Sequence, residues 1–384
     1  MAKREMAHTI DELKQLQGMP LHIKVMLTKN RIREWVREYG EDGVYVSFSG
    51  GKDSTVLLSM VREEYPDIEA VFVNTGLEYP EIVKFVQSIG NVRMIRPKMN
   101  FKDVIRKYGY PFPSKEVCEN VQGAKRYYEE LKASGEVNDM DGLARLLSER
   151  MRNKSGGQNQ RLAIVLGLFT TDKDDPIKTT EEISGSNKSR FSAEKYKFLL
   201  EAPFSVSNQC CNVMKKNPLH EYSKKSGKMP ITAQMASESR LRMQKWLENG
   251  CNAFESKNPI SNPMSFWTEQ DVLQYIKEHD IRICSVYGDI VPDMSRECDG
   301  QISIWDMGLM EDCRKLCTTG VGRTGCMFCL FGIAQEESPN RFERMKVTHP
   351  KMYEWIMKPV DQGGLGYKAL IDWINEKGNL NIKY

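Results

Sequence analysis

Apolar positions in the first hundred residues follow two different periods. Ile32, Trp35, Val36 and Tyr39 lie on one stripe at helical spacing, and Gly40 stands where a helix would stop. The spacing predicts helix over residues 5–40, with the stripe as core. Val44-Tyr45-Val46 then runs apolar up to a turn, as in a buried strand, and Val56, Leu57, Met60 and Val61 share one helical face just after it. The alternation continues, with strands expected over Val44–Ser49, Ala70–Asn74 and Val92–Ile95. Strands alternating with helices of this length predict an α/β fold: a parallel sheet with helices on both faces, its ligand at the carboxyl ends of the strands.

Beyond residue 100 the pattern is mainly helical, over Phe101–Tyr108, Glu119–Leu131 and Gly142–Met151, interrupted by Tyr110-Pro111-Phe112-Pro113-Ser114-Lys115. Residues 171–192 are polar and turn-rich, and they read as a mobile loop or an inserted linker. Thr268 with Asp271 three residues on marks a helix start whose buried face is Val272, Leu273 and Ile276. Residues 335–384 read as helical, polar and aromatic, without evident chemistry.

Composition narrows the class. The 384 residues are 40% hydrophobic and 28% charged with a net charge of +3, an ordinary soluble balance that neither demands nor excludes nucleic acid. No apolar run approaches a membrane span, and Met1-Ala2-Lys3-Arg4-Glu5-Met6 lacks a signal peptide's apolar core. Ten cysteines without a secretion signal point to metal or thiol chemistry and a cytoplasmic protein.

The segment with the most specific chemistry is Ser47-Phe48-Ser49-Gly50-Gly51-Lys52-Asp53-Ser54-Thr55. A strand, a glycine turn and a helix start aim unpaired N–H groups and the positive end of a helix dipole at one point, which suits phosphate. Gly50 and Gly51 allow a sharp turn and a close backbone approach; Ser49, Ser54 and Thr55 add hydroxyls and Lys52 a charge. The Walker spacing cannot be drawn here. Ser-Gly-Gly-Lys-Asp-Ser instead resembles the PP-loop of the ATP pyrophosphatase superfamily, closest to its phosphoadenosine phosphosulfate reductase-like family. Val71-Phe72-Val73-Asn74-Thr75-Gly76-Leu77-Glu78-Tyr79-Pro80-Glu81 is similar to that family's second strand and turn. The stretch Pro263 to Val272 also looks like a family segment, as does Tyr110 to Lys115, which makes Ser114 and Lys115 candidates for the nucleotide rim, with a solvated loop as the equal alternative.

The resemblance implies an adenine nucleotide, ATP or an adenylyl sulfate, held with Mg2+ by Ser47, Ser49, Gly50, Gly51, Lys52, Asp53, Ser54, Thr55, Asn74, Thr75 and Gly76, with Lys52 and Asp53 in catalytic roles. Arg240 and Arg242 occupy the region where the reductases carry arginines for phosphate and sulfate, with Lys215 and Lys216 following a cysteine pair in similar fashion; a solvated basic helix face is the alternative. The expected plan is a helical leader (1–42), a PP-loop nucleotide-binding domain (43–335) with a helical insertion at about 116–192 and an iron–sulfur region at 205–335, and a helical extension (336–384).

Four cysteines form two pairs, Cys210-Cys211 and Cys326-Met327-Phe328-Cys329. The second spacing lets two thiolates reach one centre, as in zinc and iron–sulfur sites. Together they resemble the Cys-Cys plus Cys-x-x-Cys pattern of adenylyl sulfate reductases, which hold a four-iron four-sulfur (4Fe-4S) cluster. The glycine turn Gly320–Gly325 fits a loop whose N–H groups face cluster sulfurs. Zinc and unligated thiols remain alternatives. Cys317, in a spacing similar to that of DNA phosphorothioation sulfurtransferases, and Cys251 are substitute ligands; Cys118, Cys284, Cys298 and Cys313 receive no ligand role.

The family's reductases attack sulfur with a cysteine in a C-terminal tail, whereas this sequence has none after Cys329. The leading expectation is therefore an enzyme that cleaves ATP to AMP and pyrophosphate to adenylate or thiolate an acceptor, either nucleic acid or a small molecule. The alternatives are reduction of adenylyl sulfate or its 3′-phosphorylated form, with Cys313 or Cys317 beside Arg314 and Lys315 replacing the tail thiol, and a regulatory module that binds nucleotide within a protein complex.

Overall fold

The computed structural model describes residues 6–152, 160–168, 192–293 and 315–384. Two compact units form, one from Met1–Lys98 with Met214–Cys326, the other from Met99–Val213 with Met327–Tyr384.

The first unit is built on a six-stranded sheet. Its strands are β1 (Val44–Ser47), β2 (Ala70–Val73), β3 (Val92–Ile95), β4 (Met229–Ile231), β5 (Asn252–Ala253) and β6 (Ile260–Ser261), in the order β3-β2-β1-β4-β6-β5. All neighbours are parallel except β5 and β6. Val44, Tyr45 and Val46 are buried, as are all four residues of β2, which explains why these strands read as apolar runs rather than alternations. Strand β3 lies at the edge and keeps Arg93 and Met94 outward. A second pair, β7 (Ile290–Pro292) and β8 (Leu316–Thr318), is antiparallel. Helices flank the sheet, so the α/β class expected from the pattern holds.

The helical stretch expected over residues 5–40 is two helices, Ile10–Gln17 and Leu21–Tyr39. Pro20 separates them, because it disfavours helical backbone in the residue before it. Thr9 starts the first through a reciprocal cap with Glu12. Ile32, Trp35 and Val36 enter the same apolar core as β1 and the helix Lys52–Glu64. A buried ion pair ties this region to the helix Glu269–Glu278: Lys24 Nζ donates to both carboxylate oxygens of Asp271 at 2.8 and 2.7 Å. Trp267 Nε1 donates to Thr28 Oγ1 at 2.8 Å beside it.

Chain direction through the sheet places the site. From β1 the chain moves outward to β2 and β3, then returns on the other side of β1 as β4. The strand order thus reverses between β1 and β4, and the segments leaving their carboxyl ends border a crevice where open α/β sheets take ligands. The segment leaving β1 is Ser49-Gly50-Gly51, and the one leaving β4 leads to Glu238, Arg240 and Arg242.

The second unit is helical. Lys115–Ala133 starts at Ser114, whose side chain caps Val117 N, and Met140–Arg152 and Gln160–Leu166 follow. The C-terminal part folds as Arg341–Thr348, Pro350–Met357 and Tyr367–Gly378, burying Phe342, Ile356, Tyr367 and Ile371. The loop expected at 171–192 lies, except for Ser192, outside the described residues.

Candidate functional site: a phosphate loop and a cysteine group

Local chemistry dictates the shape of the loop after β1. Gly50 has φ +70°, and a Cβ there would lie 2.8 Å from methyls of Ile82 and Val86, so only glycine fits. Ser54 Oγ and Thr55 Oγ1 donate to Gly51 O at 3.0 and 2.9 Å, and Ser49 Oγ lies 2.9 Å from Ser54 Oγ. These hydroxyls brace the turn from within. The helix Lys52–Glu64 begins directly after it, with its positive end toward the turn.

Lys52 is 2% exposed, and its ammonium donates to Gly322 O at 2.7 Å and pairs with Glu269 Oε1 at 2.9 Å. Its backbone N–H donates to Tyr287 OH at 3.1 Å, and that hydroxyl lies 2.6 Å from Thr324 Oγ1. Asp53 Oδ1 is buried with no hydrogen-bond partner. Burial raises its pKa above the ordinary carboxylate range, against the lowering pull of Lys52, Arg323 and Arg242. Burial also pushes the Tyr287 phenol up to about 12, so it stays a neutral hydroxyl.

The turn after β2 is held by its own side chains. Glu78 accepts from Thr75 N at 3.0 Å and from Thr75 Oγ1 at 2.7 Å, Asn74 Oδ1 accepts from Gly76 N at 3.1 Å, and Gly76 takes φ +74°. Lys215 Nζ stands 3.8 Å from Glu78. Of the two candidate arginines, Arg240 is exposed, while Arg242 pairs with Glu238 and is partly desolvated. Arg323 approaches the same Glu238 at 3.8 Å.

Sequence reasoning missed Glu238, Glu269, Tyr287, Arg323 and Thr324 at this site. The Gly320–Gly325 turn, expected to face cluster sulfurs, also meets Lys52 and Tyr287 through Gly322 O and Thr324 Oγ1.

Cys210 and Cys211 end the short helical turn Gln209–Cys211 in the second unit, with their sulfurs 4.0 Å apart. Cys329 and Cys118 belong to the same unit, whereas Cys326 belongs to the first. Cys118 donates to Phe112 O at 2.9 Å, and its pKa is pushed up to about 12, chiefly by burial and further by the nearby Cys329, Glu119 and Cys211. Cys118, given no role from the sequence, thus feels two of the expected ligands, Cys211 and Cys329. Arg341 donates to Cys329 O at 2.7 Å and is held in turn by Glu336. Among the described residues no three His, Cys, Asp or Glu side chains are placed to hold a single metal ion. The adjacent pair Cys210 and Cys211 offers two sulfur donors, the chemistry an iron–sulfur cluster uses. Cys251 is buried in the first unit and Cys317 sits in strand β8, paired with β7, while Cys298, Cys313 and Arg314 lie outside the described residues. Ser114 caps its helix and Lys115 is exposed. Among the described residues no helix is long and apolar enough to cross a membrane.

Comparison with known proteins gives a domain-level match. The family described as the phosphoadenosine phosphosulfate reductase domain matches residues 43–147 and 175–329. An uncharacterized protein of Methanocaldococcus jannaschii is 32% identical over 107 residues, which is 27% of this chain and 26% of that one. A phosphoadenosine 5'-phosphosulfate reductase of Xylella fastidiosa is 31% identical over 90 residues, 23% of this chain and 36% of that one. The chain therefore spans only about a quarter to a third of the length of these relatives. A crystal structure of phosphoadenylyl-sulfate reductase from Candida auris, a phosphate complex, aligns with TM-score 0.34 and 12% identity over 77% of this chain and 100% of that one.

Proposed function

The chain belongs to the phosphoadenosine phosphosulfate reductase domain family, and from that premise we propose an enzyme that binds an adenine nucleotide by its phosphates at Ser49–Ser54 and cleaves ATP to AMP and pyrophosphate while activating or thiolating an acceptor. The observation that carries this reading is the buried Lys52 ammonium beside the N-terminus of the helix Lys52–Glu64, at the strand-order reversal between β1 and β4.

In this reading an acceptor oxygen forms a bond to the α-phosphorus, the bond from that phosphorus to the bridging oxygen breaks, and pyrophosphate leaves with the electron pair. A second nucleophile, a sulfur in thiolation, then bonds to the acceptor carbon, and AMP leaves with the electron pair of the broken carbon–oxygen bond. Lys52 and the loop N–H groups stabilise the charge growing on the leaving oxygens. Asp53 suits Mg2+, because its buried Oδ1 has no partner in the protein; the ion would offset phosphate charge. Arg242 and Arg323 supply further positive charge at the crevice. Two thiols of the first unit, Cys251 and Cys284, are buried with raised pKa, the opposite of an activated nucleophile. Cys210, Cys211 and Cys329 of the second unit are proposed as ligands of a 4Fe-4S cluster, which would supply sulfur or electron chemistry to the acceptor.

The curated reductases among the relatives favour a second reading, reduction of phosphoadenosine phosphosulfate. Product analysis separates the two. Purified protein given ATP with candidate acceptors, or phosphoadenosine phosphosulfate with thioredoxin, should release pyrophosphate from the first; sulfite from the second would replace this reading.

A further inference from the structure

The donors of the phosphate loop are already engaged by oxygens of the protein itself. Tyr287 OH accepts from Lys52 N–H, and Thr324 Oγ1 backs that hydroxyl. The Lys52 ammonium faces Gly322 O and the Glu269 carboxylate. A Cβ on Gly51 would stand 3.1 Å from Thr324 Oγ1 and 3.2 Å from Tyr287 OH, so the hydroxyl pair lies directly on the turn. Oxygens in these positions make the contacts that phosphate oxygens make at a helix N-terminus.

Gly320–Gly325 carries two of those oxygens. It is tied to the fold at one end, where Gly320 N donates to Tyr287 O at 2.8 Å and Val321 N to Val286 O at 3.1 Å. Beyond that tie, Gly322 and Gly325 have open space where a Cβ would stand. Between them Arg323 is 58% exposed, held loosely at 3.8 Å from Glu238, which keeps Arg242 as its nearer partner.

Resting on the nucleotide-binding reading above, we propose that Gly320–Gly325, with Tyr287, is a displaceable stand-in for the phosphates. When the site is empty its oxygens satisfy the buried Lys52, which would be costly to leave unpaired. A ligand displaces them, and Arg323, freed with the segment, becomes a contact to the bound phosphate. Several oxygens must be replaced together, so the site selects nucleoside polyphosphates over monophosphates.

The consequence is a pair of opposite effects from adjacent residues. Removing a stand-in hydroxyl takes away a competitor and tightens binding; removing Arg323 takes away a contact and weakens it. The experiment titrates the full chain, as wild type, Thr324→Val, Tyr287→Phe and Arg323→Ala, with ATP and with AMP by calorimetry. Thr324→Val and Tyr287→Phe should each tighten ATP by about 3–10-fold, the scale of one neutral hydrogen bond. Arg323→Ala should weaken ATP by about 10-fold or more, the scale of a charge-assisted bond. AMP should bind far more weakly throughout. If wild type binds ATP while both hydroxyl variants bind equally or worse, the stand-in is wrong and the nucleotide reading survives. If no form binds ATP, both fall. Should Tyr287→Phe fail to fold, Thr324→Val decides, with Thr324→Ser expected to match wild type.

Discussion

The phosphate loop and the cysteine group both gather groups made to carry charge, and they keep that charge in opposite ways. The loop presents backbone N–H groups and one buried ammonium, and it carries its charge openly, with Glu269, Gly322 O and Tyr287 OH as internal partners. In the cysteine group, burial keeps Cys118 a protonated thiol, with Cys211 and Cys329 adding to the same effect. The difference teaches what each site is suited to hold. A site for an exchangeable anion must be stable when empty, so its cation has an oxygen partner ready. A metal-binding thiol needs no such partner in advance, because it gives up its proton when metal binds.

The most drastic way to break this comparison is at the cysteines. Anaerobically prepared protein should carry about four iron and four sulfide per chain if the group is a full cubane, and Cys329→Ser should lose nearly all of it while ATP affinity stays within about twofold. Cys118→Ser should retain iron. One zinc per chain without labile sulfide would make the resident group a single-ion site instead.

A smaller but large effect is expected where the phosphate site depends on the core. Lys24→Ala leaves Asp271 buried without its ammonium, just after Glu269 in the same helix. Loss of one partner of a buried pair costs about 3–5 kcal/mol, here toward the lower end because Asp271 keeps its bonds to Thr268. Denaturant unfolding measures it; a change below about 1 kcal/mol would mean that the pair does not anchor this helix.

The smallest effect sharpens the electrostatic contrast. Asp53 holds its proton to higher pH when folded, so its ionisation opposes folding. That penalty is absent below the unfolded value of 3.8, grows as pH rises through the window up to the raised folded pKa, and is constant above it. Asp53→Asn should therefore melt higher than wild type at pH 7, and the difference should shrink as the pH falls below 4. The same variant should lose turnover. Equal melting temperatures at pH 7 would show that Asp53 is not penalised by burial.

How much of this was legible in sequence differs by element. Strands β1 and β2 announced themselves because burial on both faces makes them apolar runs, whereas the partly exposed edge strand β3 was legible only through the alternation of strands with helices. Strands β4 to β6 did not: Met229-Pro230-Ile231 contains a proline, and the other two are two residues long, too short to show a period. The loop Ser49–Thr55 was legible because its chemistry is contiguous. Its partners were not, since Tyr287 and Gly322 lie 235 and 270 residues away from Lys52 and no local pattern marks them. Cysteine pairing by spacing suggested four ligands, yet spacing could not show that Cys118 would feel Cys211 and Cys329 in the folded chain.

The central claim is that the loop at Lys52 binds the phosphates of an adenine nucleotide, and direct titration of ATP into wild-type and Lys52→Ala protein tests it. Saturable binding to wild type and a loss of about 1.5–3 kcal/mol in the variant are expected, the range for a charged hydrogen bond, with the fold intact by melting temperature. Equal affinity for ATP in the two proteins would contradict it.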